Sequence, residues 1–276
     1  MAQMAHVILD KSYIDAASKD EISTLCAKHT VLMPDVLFHE LITTKEESMR
    51  RCFNKFPNKT NPVELIPNVR TFLRYELSKH QPCSPLYDRR IKIVFEFNER
   101  LRDGTFKFTE EQLETIKNRE NQLEQDTKTF FDLAMLVPGF FSHLKAMPFK
   151  MFPDAIEKAK QQIATDADKV KEIYNSFLAH DAPSNPVSAD CIDDNWAYFR
   201  WIQVRVLYSL NLLLKYRGKL PEEPGAEFWR HIEHDLLDAD YVILASLAGA
   251  LASNDNLMIS NFQLICPKGK IFRIVR

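Results

Sequence analysis

Glycine is scarce in this chain, six residues in 276 against fourteen prolines, and 27% of residues are charged. That balance disfavours a β-sandwich or a disordered polymer and favours a helix-rich protein. Cysteine is also sparse: Cys26, Cys52, Cys83, Cys191 and Cys266 are odd in number, scattered, and form no C-x-x-C pair. Neither a disulfide framework nor a zinc site is expected, and a reducing, cytoplasmic setting fits. Long apolar runs are missing too. The most apolar segment, Tyr241 to Ala252, falls short of the roughly 20 residues that span a bilayer. The opening Met1-Ala2-Gln3-Met4-Ala5-His6 has no basic start, so no signal peptide is expected. Nor is there an excess of positive charge: the formal net charge of −2 excludes an overall basic nucleic-acid binder but leaves local patches open.

What the chain does have is apolar content of 45%, enough for a sizeable core in one or two domains. His6 to Leu9 is an apolar run with the character of a buried strand, followed by a polar helix near Tyr13 to Lys28. Thr30-Val31-Leu32-Met33 is a second strand candidate ended by Pro34, and Asp35 is placed to cap the next helix. From about Lys45 to Ala226 the pattern is a succession of helices with no repeat. They run near Pro67–Lys79, from Ser84-Pro85 to Gly104, from the capping box Thr109-Glu110-Glu111-Gln112 to an end before Pro138-Gly139, from Asp154 to about His180, and from Trp196 to Arg217. Ile91 to Phe95 also suits a strand, although the helical spacing wins. After Lys219–Gly225 a helix is expected near Asp235–Gly249, then the apolar run Phe262–Cys266 and a terminal strand at Ile271–Val275. Strands are thus expected at the two ends, around an all-helical middle.

Four acidic signatures lie at those ends. They are Asp10 closing the first apolar run, Glu40 in Pro34–Leu41, the pair Asp235/Asp238, and Asp255 in Ala252-Ser253-Asn254-Asp255. Carboxylates set just after buried strands are costly unless protonated, paired or metal-bound. Several in one concavity would form an all-oxygen cage suited to Mg²⁺ or Mn²⁺, which can support phosphodiester hydrolysis without a covalent nucleophile. Asp238 follows Asp235 by three residues and shares its helix face, whereas Asp240 lies about 200° away from Asp238.

Taken in order, Val7-Ile8-Leu9-Asp10-Lys11-Ser12, Pro34 through Glu40-Leu41, His234 through Val242 and Ser253-Asn254-Asp255 resemble the PIN domain family of metal-dependent nucleases. The resemblance covers roughly a third of the chain. It implies an α/β/α sandwich around a parallel sheet, built from residues 1–45 together with 226–276. It further implies Asp10, Glu40, Asp238 and Asp255 as metal ligands, and Asp235 as a further ligand or a neighbour that orients one. Residues 46–225 would be a large helical insertion that binds substrate or a partner. The connection from Asp238 to Asp255 is short, so which of Asp235, Asp238 and Asp240 is the third ligand stays open.

Ordinary structural roles compete at each position. Asp10, the Asp235/Asp238 pair and Ser253–Asn256 also suit a strand-end cap, a solvated helix start and a turn, and Glu40 suits a surface position. His231 and His234 have no matching third zinc ligand. The aromatics Trp196, Tyr198, Phe199, Trp201 and Tyr208 are core or interface candidates before base-stacking ones. Between Lys45 and Lys107 fourteen Lys and Arg stand against eight Asp and Glu, a local surplus of six. Arg50, Arg51, Lys55, Lys59, Arg70, Arg74, Arg89, Arg90 and Lys92 could line a phosphate path or merely be a solvated face. Lys11, Ser12, Ser253, Arg89 and Arg90 are the substrate-contact candidates, with Lys268, Lys270, Arg273 and Arg276 behind them. The expected activity is metal-dependent endoribonuclease, in a toxin or defence effector if the family habit holds. The alternatives are a structure-specific DNA nuclease and a catalytically silent helical interaction protein. Candidate partners are nucleic acid, RNA first, with a second copy of the chain or an inhibitory protein; no membrane is expected.

Overall fold

A computed structural model describes residues 4–59, 61–91, 99–144, 151–180 and 186–276. Five strands form one all-parallel sheet: β1 (His6–Leu9), β2 (Thr30–Pro34), β3 (Glu64–Ile66), β4 (Ala250–Ala252) and β5 (Lys270–Phe272). Their order is β3-β2-β1-β4-β5, with Val7 paired to Val31, Ile8 to Leu251, Leu32 to Glu64 and Leu251 to Ile271. Val7, Ile8 and Leu9 are fully buried. A parallel strand covered on both faces carries a continuous apolar run, and that is what made β1 readable. Because β2 and β3 lie to one side of β1 and β4 and β5 to the other, the carboxyl ends of β1 and β4 border the crevice where open α/β sheets bind ligands.

The helices are α1 (Lys11–Ala16), α2 (Lys19–Lys28), α3 (Asp35–Thr43), α4 (Glu46–Phe53), α5 (Val69–Lys79), α6 (Glu99–Asp103), α7 (Glu110–Phe140), α8 (Phe152–Thr165), α9 (Ala167–His180), α10 (Ala197–Lys215), α11 (Ala226–Ala248) and α12 (Asn256–Ile265). Helix α11 packs against β1 and β4 on one side and against α7 and α10 on the other, so it joins the sheet to the outer helices. Fourteen of the nineteen residues of α10 are buried, as befits a helix enclosed by α5, α7, α8, α9 and α11. A single hydrophobic cluster runs from β1 through α10 to α12.

The N-terminus of α10 has no side-chain cap of its own. Its first N–H groups are met instead by Glu76 of α5, which is fully buried. Oε1 accepts from Ala197 N at 2.7 Å and from Cys83 N at 2.9 Å, and Oε2 accepts from Tyr198 N at 2.9 Å. A carboxylate at a helix N-terminus gains from the helix dipole and from charge-assisted hydrogen bonds.

Several expectations need correction. The 46–225 stretch is not all-helical, because Glu64–Ile66 adds a strand beside β2; three residues are too few for a periodic signal. No helix runs from Ser84 to Gly104. Leu86–Arg89 is a single 3-10 turn, Arg90 is extended, and Ile91 N donates to Leu65 O at 2.8 Å; Lys92 to Asn98 lie outside the described residues. The helix expected over Tyr13–Lys28 divides at Ser18, which forms a capping box with Glu21. That over Asp154–His180 divides at Asp166, whose carboxylate accepts from Lys169 N. The terminal strand expected at Ile271–Val275 is shorter and earlier, Lys270–Phe272, and the apolar run Phe262–Cys266 before it belongs to α12 and its end. Helix α11 starts at Ala226, nine residues before Asp235, so the Asp235/Asp238 pair is mid-helix and no solvated helix start. The short link to β4 is made by Gly249, at φ +80°, which ends α11 with its N–H on Ala245 O.

Glu76→Gln should destabilise the protein by about 2–3 kcal/mol, since the amide NH₂ would face a backbone N–H. Chemical denaturation measures this; an unchanged midpoint would show that Glu76 does not hold α10.

Candidate functional site

Asp10 ends β1, with only 4% of its surface exposed. Its backbone N–H continues the ladder to Ala252 O at 3.0 Å, which sets it level with the end of β4. The carboxylate Oδ2 accepts from Ser12 Oγ and, at 2.7 Å, from Ser253 Oγ. The two serines are themselves 3.2 Å apart. Ser12 Oγ also accepts from Asn254 N at 2.9 Å, and Ser253 Oγ from Asp255 N at 3.0 Å. Asn254 in turn pins the tail beyond β5, bonding both the carbonyl and the N–H of Ile274. Burial pushes the Asp10 pKa up, the serine hydrogen bonds pull it down, and the charge of Asp255 pushes it up again.

Asp255 caps α12, accepting from Met258 N at 2.7 Å. Glu40 comes from α3, beyond β2, and accepts from the Tyr241 hydroxyl of α11. Burial raises the Glu40 pKa, the Tyr241 bond and Lys11 oppose that, and Asp10 and Asp15 add to it. One turn before Tyr241, Asp238 has its pKa pushed up to about 8, first by burial and then by the negative charges of Asp10, Asp255, Glu40 and Asp235. Asp235 is raised to about 6 by burial, with Lys215 and His231 opposing and Asp255 reinforcing. The acids marked in the sequence therefore share one electrostatic neighbourhood, centred on Asp238. None of the five has an ion-pair partner among the described residues. As the side chains stand, no group of three or more His, Cys, Asp or Glu among those residues is arranged to hold a metal ion. Asp10, Glu40 and Asp255 spend oxygens on Ser12 and Ser253, on Tyr241 and on Met258 N respectively.

Asp240 takes the opposite course. It faces away from Asp238 and pairs with Arg205 of α10 at 2.6 Å. Both border a cavity of about 520 Å³ on that side of α11, together with Arg70, Leu133, Tyr174 and Trp201. The choice among Asp235, Asp238 and Asp240 thus falls against Asp240, which has its cation already.

Other candidates are used elsewhere. Ser12 and Ser253 orient Asp10. Arg90 pairs with Glu64 at 3.4 Å and lies over the Tyr87 ring, which stacks on His6 at the far end of β1 from Asp10. Arg89 lies over the Tyr75 ring. Arg51 pairs with Asp15 at 3.1 Å, Arg70 pairs with Asp126, and Lys55 donates to Asp15 O at 3.1 Å, so much of the basic stretch is internally engaged. Lys92 lies outside the described residues. His231 meets Glu227 at 3.7 Å on the surface. Trp196, Phe199 and Tyr208 are buried, while Tyr198 and Trp201 pack edge-on with ring centroids 6.1 Å apart. Tyr241 was missed, although its place three residues after Asp238 put it on the same helix face.

Comparison with protein-family models, with curated proteins and with solved structures finds no match to this chain. No helix among the described residues is long and apolar enough to cross a membrane.

The Asp238 pKa fixes the sign of a pH effect. A carboxyl raised above its ordinary 3.8 stabilises the fold in its protonated form. That contribution is complete below the ordinary value and is lost as pH rises through about 8. In chelator, Asp238→Asn should therefore be more stable than the parent at about pH 8.5, by at least about 1 kcal/mol or 2–4 °C in Tm, with the gap closing toward about pH 4. Parallel Tm-against-pH curves for the two proteins would contradict it.

Proposed function

We propose that this chain is a divalent-metal-dependent endonuclease with a PIN-like core, acting on phosphodiester bonds and on RNA in the first instance. The observation that carries this reading is Asp238: a half-buried carboxyl acted on by the charges of four other acids, at the crevice beside the carboxyl ends of β1 and β4, with no ion-pair partner among the described residues. Clusters of groups with strongly shifted pKa are typical of functional sites. The donor set suits the ion: carboxylate oxygens without His or Cys match Mg²⁺ or Mn²⁺ rather than zinc.

Asp10, Glu40, Asp238 and Asp255 would hold the ion, with Asp235 next to them. When bound, such an ion supplies Lewis acidity toward a phosphoryl oxygen and offsets charge developing at the attacked and leaving oxygens. The chain's own part is orientation. Ser12 and Ser253 fix Asp10, Tyr241 fixes Glu40, and the backbone of α12 fixes Asp255. Lys11 adds positive charge near Glu40, suited to drawing a phosphate toward the acids. The helices of 46–225 would carry substrate or partner selection. A toxin or defence role goes with the family resemblance alone.

Asp10→Asn and Asp255→Asn should each lower Mn²⁺-dependent cleavage by at least about 100-fold. Their Tm should stay within about 4 °C of the parent. Single-stranded RNA and DNA, incubated side by side at one salt concentration, decide the substrate. Cleavage of DNA alone would remove the RNA assignment, and full activity in both variants would remove the acids from the mechanism.

A further inference from the structure

The cavity on the outer side of α11 is separate from the acid crevice. About 520 Å³ stays open where α5, α7, α9, α10 and α11 meet. Protein interiors are close-packed and keep few voids larger than a water molecule, whereas small-molecule sites measure about 300–1,000 Å³. This space has the size of a site and not of a packing flaw.

Two kinds of side chain line it. The first is aromatic: Phe130, Tyr174, Phe177, Tyr198 and Trp201. These rings support one another edge-on, with centroids 5.6 Å apart for Tyr174 and Tyr198 and 6.1 Å apart for Phe177 and Trp201. The Tyr174 hydroxyl is further tied to Val187 O at 2.9 Å. Rings held in this way make a stiff apolar wall suited to a planar guest.

The second kind is charged, but in pairs. Arg70 of α5 is joined to Asp126 of α7, and Arg205 of α10 to Asp240 of α11 at 2.6 Å. The third arginine of the wall, Arg119, meets Asp35 at 3.4 Å. Each arginine thus has its acid, and an anionic guest would have to displace one. Asp132, the acid of the wall outside these pairs, is exposed on α7. A wholly apolar guest would strip water from the paired groups and return nothing. The matching guest is an uncharged planar molecule with donors and acceptors along its edge. The pairs retain capacity for it: Arg70 and Gln122 both donate to Oδ1 of Asp126, and Arg205 to Oδ1 of Asp240, so neither Oδ2 takes part in those bonds.

We propose that this cavity binds an uncharged purine base, guanine in the first instance, with the ring against the aromatic wall and its edge on the arginine–aspartate pairs. Guanine presents both halves of the required pattern: O6 and N7 accept, as arginine needs, while N1–H and the 2-amino group donate, as a carboxylate needs. The proposal rests on the cavity alone and is independent of the metal-site reading.

The test is a calorimetric titration of the full chain with guanosine, without metal, on the parent and three variants, with Tm measured for each. Leu136 lines the cavity yet is 59% exposed, so Leu136→Trp fills the space without entering the core. Asp126→Asn removes one charged acceptor from a pair about one-third exposed, where the cost to folding is small. Leu113→Trp adds the same indole to another exposed position of α7, outside the cavity. The expected result is guanosine binding by the parent and by Leu113→Trp, weakened at least about tenfold in Leu136→Trp and in Asp126→Asn, with every Tm within about 4 °C of the parent. No binding by the parent would mark a cavity that holds only water and overturn the proposal. Parental affinity in Leu136→Trp would place the guanosine elsewhere and overturn it too. Sodium benzoate bound more tightly than guanosine would overturn the uncharged, base-like guest. The oligonucleotide UUGUU, titrated beside guanosine, separates the two sources of the base: tighter binding of the oligonucleotide, lost in Leu136→Trp, supports a base presented by RNA, and tighter binding of guanosine supports a free nucleoside.

Discussion

The buried carboxylate of Asp10 is the constraint on which the rest of the site depends. An ionised group at that depth costs several kcal/mol unless hydrogen bonds replace its lost water. Those bonds come from Ser12, two residues on, and from Ser253, 243 positions away. Satisfying Asp10 therefore requires that β4 lie beside β1, and the Asp10 N–H to Ala252 O bond holds that register. Once β4 is in place, Asp255 follows at the head of α12, and α11 must cross the sheet to reach β4. Asp238 and Tyr241 arrive by that route. A local electrostatic demand and the global topology thus have one solution.

Helix α11 presents two answers to the same difficulty on its two sides. Toward the outer helices, Asp240 is buried with Arg205, a pair further anchored by Arg205 to Leu236 O at 3.1 Å. Toward the sheet, Asp238 is half-buried and acted on by the negative charges of Asp10, Asp255, Glu40 and Asp235. An arginine meets the acid on one side of α11, whereas on the other side Asp238 has no ion-pair partner among the described residues. Stability gains nothing from that arrangement, so the physical argument for function rests there and not on the number of carboxylates.

The middle of the chain is tied to this site by the buried helix α10. Glu76 caps it from α5, Arg205 grips α11, and Arg200 donates to Ile265 O at the end of α12. Arg200 and Arg205, polar side chains on a mostly apolar helix, each meet a neighbouring element. Through them the helices beyond the sheet fix how α11 and α12 present their acids.

Much of the site was legible because its residues sit where local rules are strong. An apolar run ending in Asp10, a proline followed by the acidic start of α3, and the three-residue spacing of Asp235 and Asp238 are short-range patterns, and the structure places all these acids in one neighbourhood. The elements that escaped are those with weak local signals. β3 is three residues long and exists only because β2 offers an edge. Ile91 has helical spacing but spends its N–H on Leu65. Asp166 breaks a helix by capping the next one, which periodicity alone cannot register.

By itself the sequence determined the buried strands β1 and β2, the capping box that opens α7, and which acids stand at element ends, since these follow from interactions among near neighbours in the chain; the parallel sheet was implied by the family resemblance alone. Tertiary structure alone decided that Asp240 would be paired with Arg205 while Asp238 would not, and that Glu76 would cap a helix 121 residues away. A side chain's charge state and hydrogen-bond partner are set by whatever surrounds it after folding, and distant segments meet only then.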